Sequence, residues 1–126
     1  MFIAGQEAEL LASTYFDEMS VYRPVKVVEN GESKFLKGID GEKVLEKVPC
    51  SLSQKNGGNL EKDIAFNKAK RDYIVFTRPE VIVKENDLIV LTVNLGTRKE
   101  IYHLTAGKAM LYPSHQEIPA VEEIKA

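Results

Sequence analysis

Short runs of β-forming residues, each closed by a turn signal within eight to twelve residues, constrain this chain more than any other feature. The clearest run is 88–95, where Ile89, Leu91, Val93 and Leu95 alternate onto one face, as a half-buried strand requires. Tyr73-Ile74-Val75-Phe76-Thr77 is a second strand, ended by Arg78-Pro79, and Val81-Ile82-Val83 reads as a short third. After the turn at Leu95-Gly96-Thr97-Arg98, residues 100–105 pair back, and Met110-Leu111-Tyr112 is the last strand candidate before Pro113. Upstream, Met19, Val21, Val25, Val27 and Val28 are β-formers interrupted by Pro24, which predicts an edge strand or a bulge. Asn30-Gly31 is a hairpin signal that returns the chain through Phe35-Leu36. Residues 38–41 turn again, and Val44, Leu45, Val48, Cys50 and Leu52 form a strand with a kink expected at Pro49.

Six or seven such strands with little helix predict an all-β barrel or sandwich, and the chain is read as a small β-barrel. At 126 residues the chain is read as a single domain spanning 1–126, with a barrel over 17–115. Three segments fall outside the strand pattern. Residues 6–15 predict a short helix with Ala8, Leu11 and Tyr15 on one face, too short to stand alone. Residues 53–70 form a long polar insertion, glycine-rich at Asn56-Gly57-Gly58-Asn59, and a connection of that length is usually functional. Residues 116–126 are acidic and sparse in core residues, and predict a C-terminal arm.

Charge and composition exclude several functions. Seventeen basic against nineteen acidic residues leave a net charge of −2, which argues against a dedicated duplex-DNA binder. Apolar runs are far shorter than the roughly 20 residues a bilayer span needs, so no membrane association is expected. The opening residues lack a basic region followed by a long apolar stretch, so no secretory signal is expected and a cytosolic origin is the default. The one cysteine, Cys50, lies between apolar neighbours and reads as a small buried hydrophobe.

The chemistry-bearing residues do not assemble into a motif. His103 and His115 lack helical metal-ligand spacing, and no metal or cofactor is expected. Ser114, His115 and Asp87 supply the residue types of a hydrolytic triad without a nucleophile elbow, and adjacent side chains in an extended turn are expected to point apart. No enzyme activity is therefore expected. Lys68, Lys70, Arg71 and Arg78 near Phe66, Tyr73 and Phe76 interleave bases with aromatics. A barrel could bind single-stranded nucleic acid that way, with Tyr73, Phe76, Lys68 and Lys70 as the contacts.

The string from Tyr73 through Arg78-Pro79-Glu80 and Lys84-Glu85-Asn86-Asp87 to Leu91 resembles the core of small neck proteins of tailed bacteriophages. These are the head-closure, or stopper, proteins of phages and prophages of Gram-positive bacteria, often labelled minor capsid proteins. Val21-Tyr22-Arg23, Val48-Pro49-Cys50-Ser51-Leu52-Ser53 and Leu111-Tyr112-Pro113-Ser114-His115-Gln116-Glu117 are similar in order and spacing, so the resemblance covers about residues 19–118.

The resemblance implies a β-barrel subunit of a homo-oligomeric ring, hexameric or dodecameric, in the virion neck and assembled in the host bacterial cytoplasm. Its partners would be a portal or adaptor protein on the head side, a tail-terminator or tail protein on the other, and packaged viral DNA in the lumen. It implies no catalysis and no cofactor. Within such a ring, Asn56, Gly57, Gly58, Asn59, Phe66 and Lys68 would form the loop that meets the channel or a neighbour. Leu10 and Leu11 in the helix, with Ile118, Val121 and Ile124 in the C-terminal arm, would be docking anchors. A tail-completion or minor capsid protein is the neighbouring expectation.

Overall fold

The computed structural model describes residues 4–54 and 70–123. Helix α1 (Ala4–Ala12) leads into β1 (Asp17–Arg23), β2 (Val25–Glu29), β3 (Glu32–Leu36) and β4 (Glu42–Gln54). β5 (Lys70–Thr77), β6 (Leu88–Asn94), β7 (Lys99–Ala106), β8 (Met110–Leu111) and β9 (Gln116–Glu123) complete the chain. Six strands run antiparallel in the order β5-β4-β1-β6-β7-β9, and β9 pairs with β5 over Gln116–Glu123 to close them into a barrel. β8 extends the sheet beyond β9, while β2 and β3 form a separate two-stranded hairpin. The expected small all-β barrel is thus the fold.

Period-two alternation builds the core. Met19 and Val21 of β1, Ile89 and Leu91 of β6, Leu104 of β7 and Val75 of β5 point inward and are fully buried. Cys50 joins them, also without exposure, as a small apolar side chain. The regularity breaks twice. Met19 pairs with Val48, Val21 with Leu45 and Tyr22 with Lys43, so β4 carries two extra residues, and Lys47 takes a positive φ of 51° in the first irregularity. The register runs unbroken through Pro49, the expected kink site, and the irregularity falls at these bulges instead.

The C-terminal arm expected over 116–126 is instead strand β9 through Glu123. Gln116, Ile118 and Ala120 alternate inward and are almost completely buried. Ile118 is fully buried in its own subunit's core, so it anchors no partner; Val121 pairs with Asp72 of β5 and Thr105 of β7, and Ile124 lies outside the described residues. The segment is barrel wall because closure needs a sixth strand between β5 and β7, and three small or medium inward side chains suffice at that position.

Other expectations shift at element ends. The helix stops at Ala12, not at 15, because the Ser13 and Thr14 hydroxyls donate back to the carbonyls of Leu10 and Leu11 at 2.5 and 2.6 Å. It docks on its own barrel through Ala8, which is buried. β6 ends at Asn94, and Leu95 enters a turn with Gly96 at φ 81°, which leaves Leu95 exposed rather than inward. Val81-Ile82-Val83 belongs to no strand. Val81 N donates to Arg78 O, and the buried Gln116 amide donates to the carbonyls of Arg78 and Val81 in place of a strand partner.

Candidate functional site

The strand directions gather three connections at one end of the barrel. The β2–β3 hairpin leaves β1 at Pro24 and returns to β4 through a 3-10 turn over Gly38–Asp40. Residues 78–87 link β5 to β6, and residues 107–115, including β8, link β7 to β9. Most of the large exposed apolar side chains lie here. Val28 and Phe35 on the hairpin are 70% and 67% exposed, and Ile39 of the 3-10 turn is 61% exposed. Ile82, Met110, Leu111 and Tyr112 are exposed on the other two connections at the same end. Singly scattered exposed apolar residues are ordinary, whereas seven at one end of a small barrel single that end out as the candidate site.

The hairpin is formed by its turn. Asn30 and Gly31 have φ of 54° and 79°, the pair of left-handed residues a two-residue loop demands. Val25↔Leu36, Lys26↔Phe35 and Val27↔Lys34 set the register, and the tip places Glu29 opposite Glu32. A crevice of about 680 Å³, lined by Pro24, Phe35, Lys37, Asn86 and Leu88 among others, separates its base from the barrel. The hairpin's return is tight at Gly41, where a Cβ would sit 2.5 Å from the Arg23 carbonyl oxygen, so no larger residue fits without moving backbone.

Across the barrel end, a groove of about 470 Å³ runs between the extended 79–85 segment and residues 108–111. Pro79, Val81, Ile82, Ala109 and Leu111 give it an apolar floor, and Lys84, Glu85 and Lys108 lie on its rim. Among the described residues β8 is the last strand beside β9, while in the other wall Val81 has both its N–H and its carbonyl engaged, by Arg78 and Gln116. A single carboxylate holds the end of one wall. Asp87, fully buried, accepts from Arg23 Nε at 3.0 Å, Arg23 Nη2 at 2.8 Å and the Lys84 backbone N–H at 2.8 Å. The Asp87 carboxylate beside it raises the affinity of the Arg23 guanidinium for its proton.

A second cleft, of about 220 Å³, lies between α1 and the barrel and is lined by Leu11, Thr14, Tyr15, Ser51, Phe76 and His115. Leu11 therefore faces its own barrel, while Leu10 is 57% exposed. His115 is held on all sides. Ser114 Oγ lies 3.0 Å from Nδ1 and Glu117 Oε2 lies 2.9 Å from Nε2. The Tyr112 ring stacks on it at 4.8 Å and 8°, and Phe76 lies at 6.0 Å. Ser114 and His115 thus meet rather than point apart. The Tyr112 N–H to His115 carbonyl bond folds 112–115 into a tight turn that brings neighbouring side chains together. Asp87 plays no part in this cluster, because its carboxylate is committed to Arg23 and Lys84. With both nitrogens engaged within its own turn and Tyr112 stacked on the ring, His115 serves to clip the β8–β9 turn to the barrel.

The remaining sequence-derived residues separate. Tyr73 is only 5% exposed and packs edge-to-face on Tyr102 at 5.5 Å, so its ring offers no face to a nucleic-acid base. Asn56, Gly57, Gly58, Asn59, Phe66 and Lys68 lie outside the described residues. His103 is an exposed residue of β7. Burial pushes the Cys50 thiol well above the ordinary thiol range, with Asp17 and Glu18 adding to the shift. Among the described residues there is no cluster of three or more His, Cys, Asp or Glu able to hold a metal, and no helix long and apolar enough to cross a membrane. Sequence reasoning missed the apolar barrel end because its two halves lie some fifty residues apart and meet only through the closure of the barrel. The one available signal was the large apolar residues placed beside turn residues, as in Phe35, Ile39 and Ile82.

The chain is a closed antiparallel β-barrel with large exposed apolar side chains gathered at one end. No protein-family model, curated protein or solved structure matches the chain.

Proposed function

We propose that this chain is a structural, non-enzymatic subunit of the neck of a tailed-phage particle. It forms a homo-oligomeric ring that closes the DNA channel below the portal or adaptor after packaging and offers a surface for the tail. The observation that carries this reading is the apolar barrel end, where Val28 and Phe35 are exposed on a hairpin whose strands, among the described residues, pair only with each other, and Ile39 and Ile82 are exposed on connections at the same end. A two-stranded hairpin is marginal alone, and one with large apolar side chains in water is built to be covered. The resemblance over residues 19–118 supplies the neck setting, including the hexameric or dodecameric ring, the head-side and tail-side partners and the DNA-filled lumen. A rigid small barrel with projecting connections suits a ring subunit that contacts neighbours on several sides. The burial of Tyr73 leaves Phe76 as the one remaining described aromatic of the single-strand-binding alternative, which favours the neck reading.

Electron microscopy of lysates from a phage or prophage with this gene deleted tests the proposal. Free tails beside heads that filled and then emptied are the expected outcome. Heads that never fill would assign a capsid or portal role instead, and intact infectious particles would remove the protein from the neck.

A further inference from the structure

We propose that the β2–β3 hairpin of one subunit inserts into the groove between residues 79–85 and 108–111 of a second copy of this chain. The inference rests on the ring reading above and gives that ring its contact. Strand order sets the geometry. Around the closed barrel the sequence is β5-β4-β1-β6-β7-β9, so β1, which carries the hairpin, and β9, which borders the groove, occupy opposite sides. A projecting hairpin on one strand and a receiving groove beside another, both at the same end, form a heterologous contact that repeats from subunit to subunit and closes into a ring when the rotation permits.

Charge selects the same occupant. The hairpin tip holds Glu29 directly opposite Glu32, an arrangement that repels across a strand pair unless a cation covers it. The groove rim carries Lys84 and Lys108, with Glu85 as the one acidic neighbour. All four of Glu29, Glu32, Lys84 and Lys108 are exposed, and among the described residues none is in an ion pair. Apolar surface matches too. Val28 and Phe35 share the hairpin face opposite Glu29 and Glu32, and the groove floor is Val81, Ile82, Ala109 and Leu111, so an inserted hairpin turns its apolar face to the floor and its acidic face to the rim. The outer edge of β8, which pairs with no further strand among the described residues, gives an incoming strand backbone partners.

Charge exchange and crosslinking test the contact with the full-length protein. In concentrated solution at low salt, the double variants Glu29→Lys with Glu32→Lys, and Lys84→Glu with Lys108→Glu, should each weaken self-association on the order of tenfold or more. The variant carrying all four changes should recover it, which a nonspecific effect on folding would not produce. Separately, a chain bearing both Ser33→Cys and Leu111→Cys should yield a covalent ladder of oligomers on oxidation, whereas Ser33→Cys alone should yield none. Rings that form normally in both double variants, with no ladder, would overturn this contact and leave the ring reading standing. A wild-type chain that neither self-associates nor yields a ladder in the double-cysteine form would overturn both.

Discussion

Arg23 and Asp87, sixty-four residues apart in sequence, join the base of the hairpin to the wall of the groove. Arg23 precedes Pro24, where the chain leaves the barrel, and its Nη2 lies 2.8 Å from Asp87 Oδ2. Asp87 in turn caps the Lys84 N–H and, through its carbonyl, accepts from the Ala106 N–H at 2.9 Å. One residue thus joins three connections at the same barrel end, two through its carboxylate and one through its backbone carbonyl. Arg23→Ala leaves that carboxylate buried without its cation and should cost about 2–4 kcal/mol in urea denaturation. A double-mutant cycle with Asp87→Ala should return a coupling energy of the same sign, because the two side chains act as a unit.

β9 is a core strand, and its removal should be felt as unfolding. Ile118→Ala should lower stability by about 2–5 kcal/mol, the usual range for emptying a buried aliphatic site. A chain ended at His115 should lose its cooperative thermal transition, as followed by near-ultraviolet circular dichroism. A dispensable arm would leave the transition in place.

Gln116 ties the groove wall to the barrel, since its buried amide donates to the Arg78 carbonyl at 2.8 Å and also to the Val81 carbonyl. Gln116→Leu keeps the volume but strands two carbonyls, and should destabilise by about 1–3 kcal/mol. Hydrogen exchange should quicken at residues 81–83 more than in β6, which would separate loss of the tether from general loosening.

Cys50 gives a stability change with a defined sign in pH. Burial holds the folded thiol protonated, while the unfolded thiol ionises near ~8.5. Above that pH the unfolded state binds fewer protons than the folded state, so the contribution is fully present below ~8.5 and declines by up to ~1.4 kcal/mol per pH unit as pH rises. Cys50→Ala lacks this decline. The stability gap between wild type and variant should therefore narrow by about 1 kcal/mol between pH 7.5 and 9.5. The native thiol should also resist alkylation until urea is added.

Local signals made much of the barrel legible in the sequence. Asn30-Gly31 marks the hairpin because only left-handed residues close a two-residue loop, and the alternation of Ile89 and Leu91 marks β6 because period two is a direct record of burial. What was not legible depends on partners distant in the chain. Gln116-Glu117-Ile118-Pro119-Ala120 carries too few large apolar residues to announce a strand, and becomes one because β5 and β7 leave a gap of its width. Val81-Ile82-Val83 has the composition of a strand, yet the Gln116 side chain engages the Arg78 and Val81 carbonyls and keeps the segment out of the sheet. The apolar barrel end was hidden for the same reason, since Phe35, Ile82 and Leu111 share an end only after closure.

Heads produced without this protein provide the most direct test of channel closure. Purified protein would be added to such heads immediately after packaging, and nuclease-protected DNA per head and joining to added tails would be measured. Restored protection together with restored tail joining is the predicted result. Heads that retain their DNA without the protein, or that leak equally after its addition, would contradict a role in closing the channel.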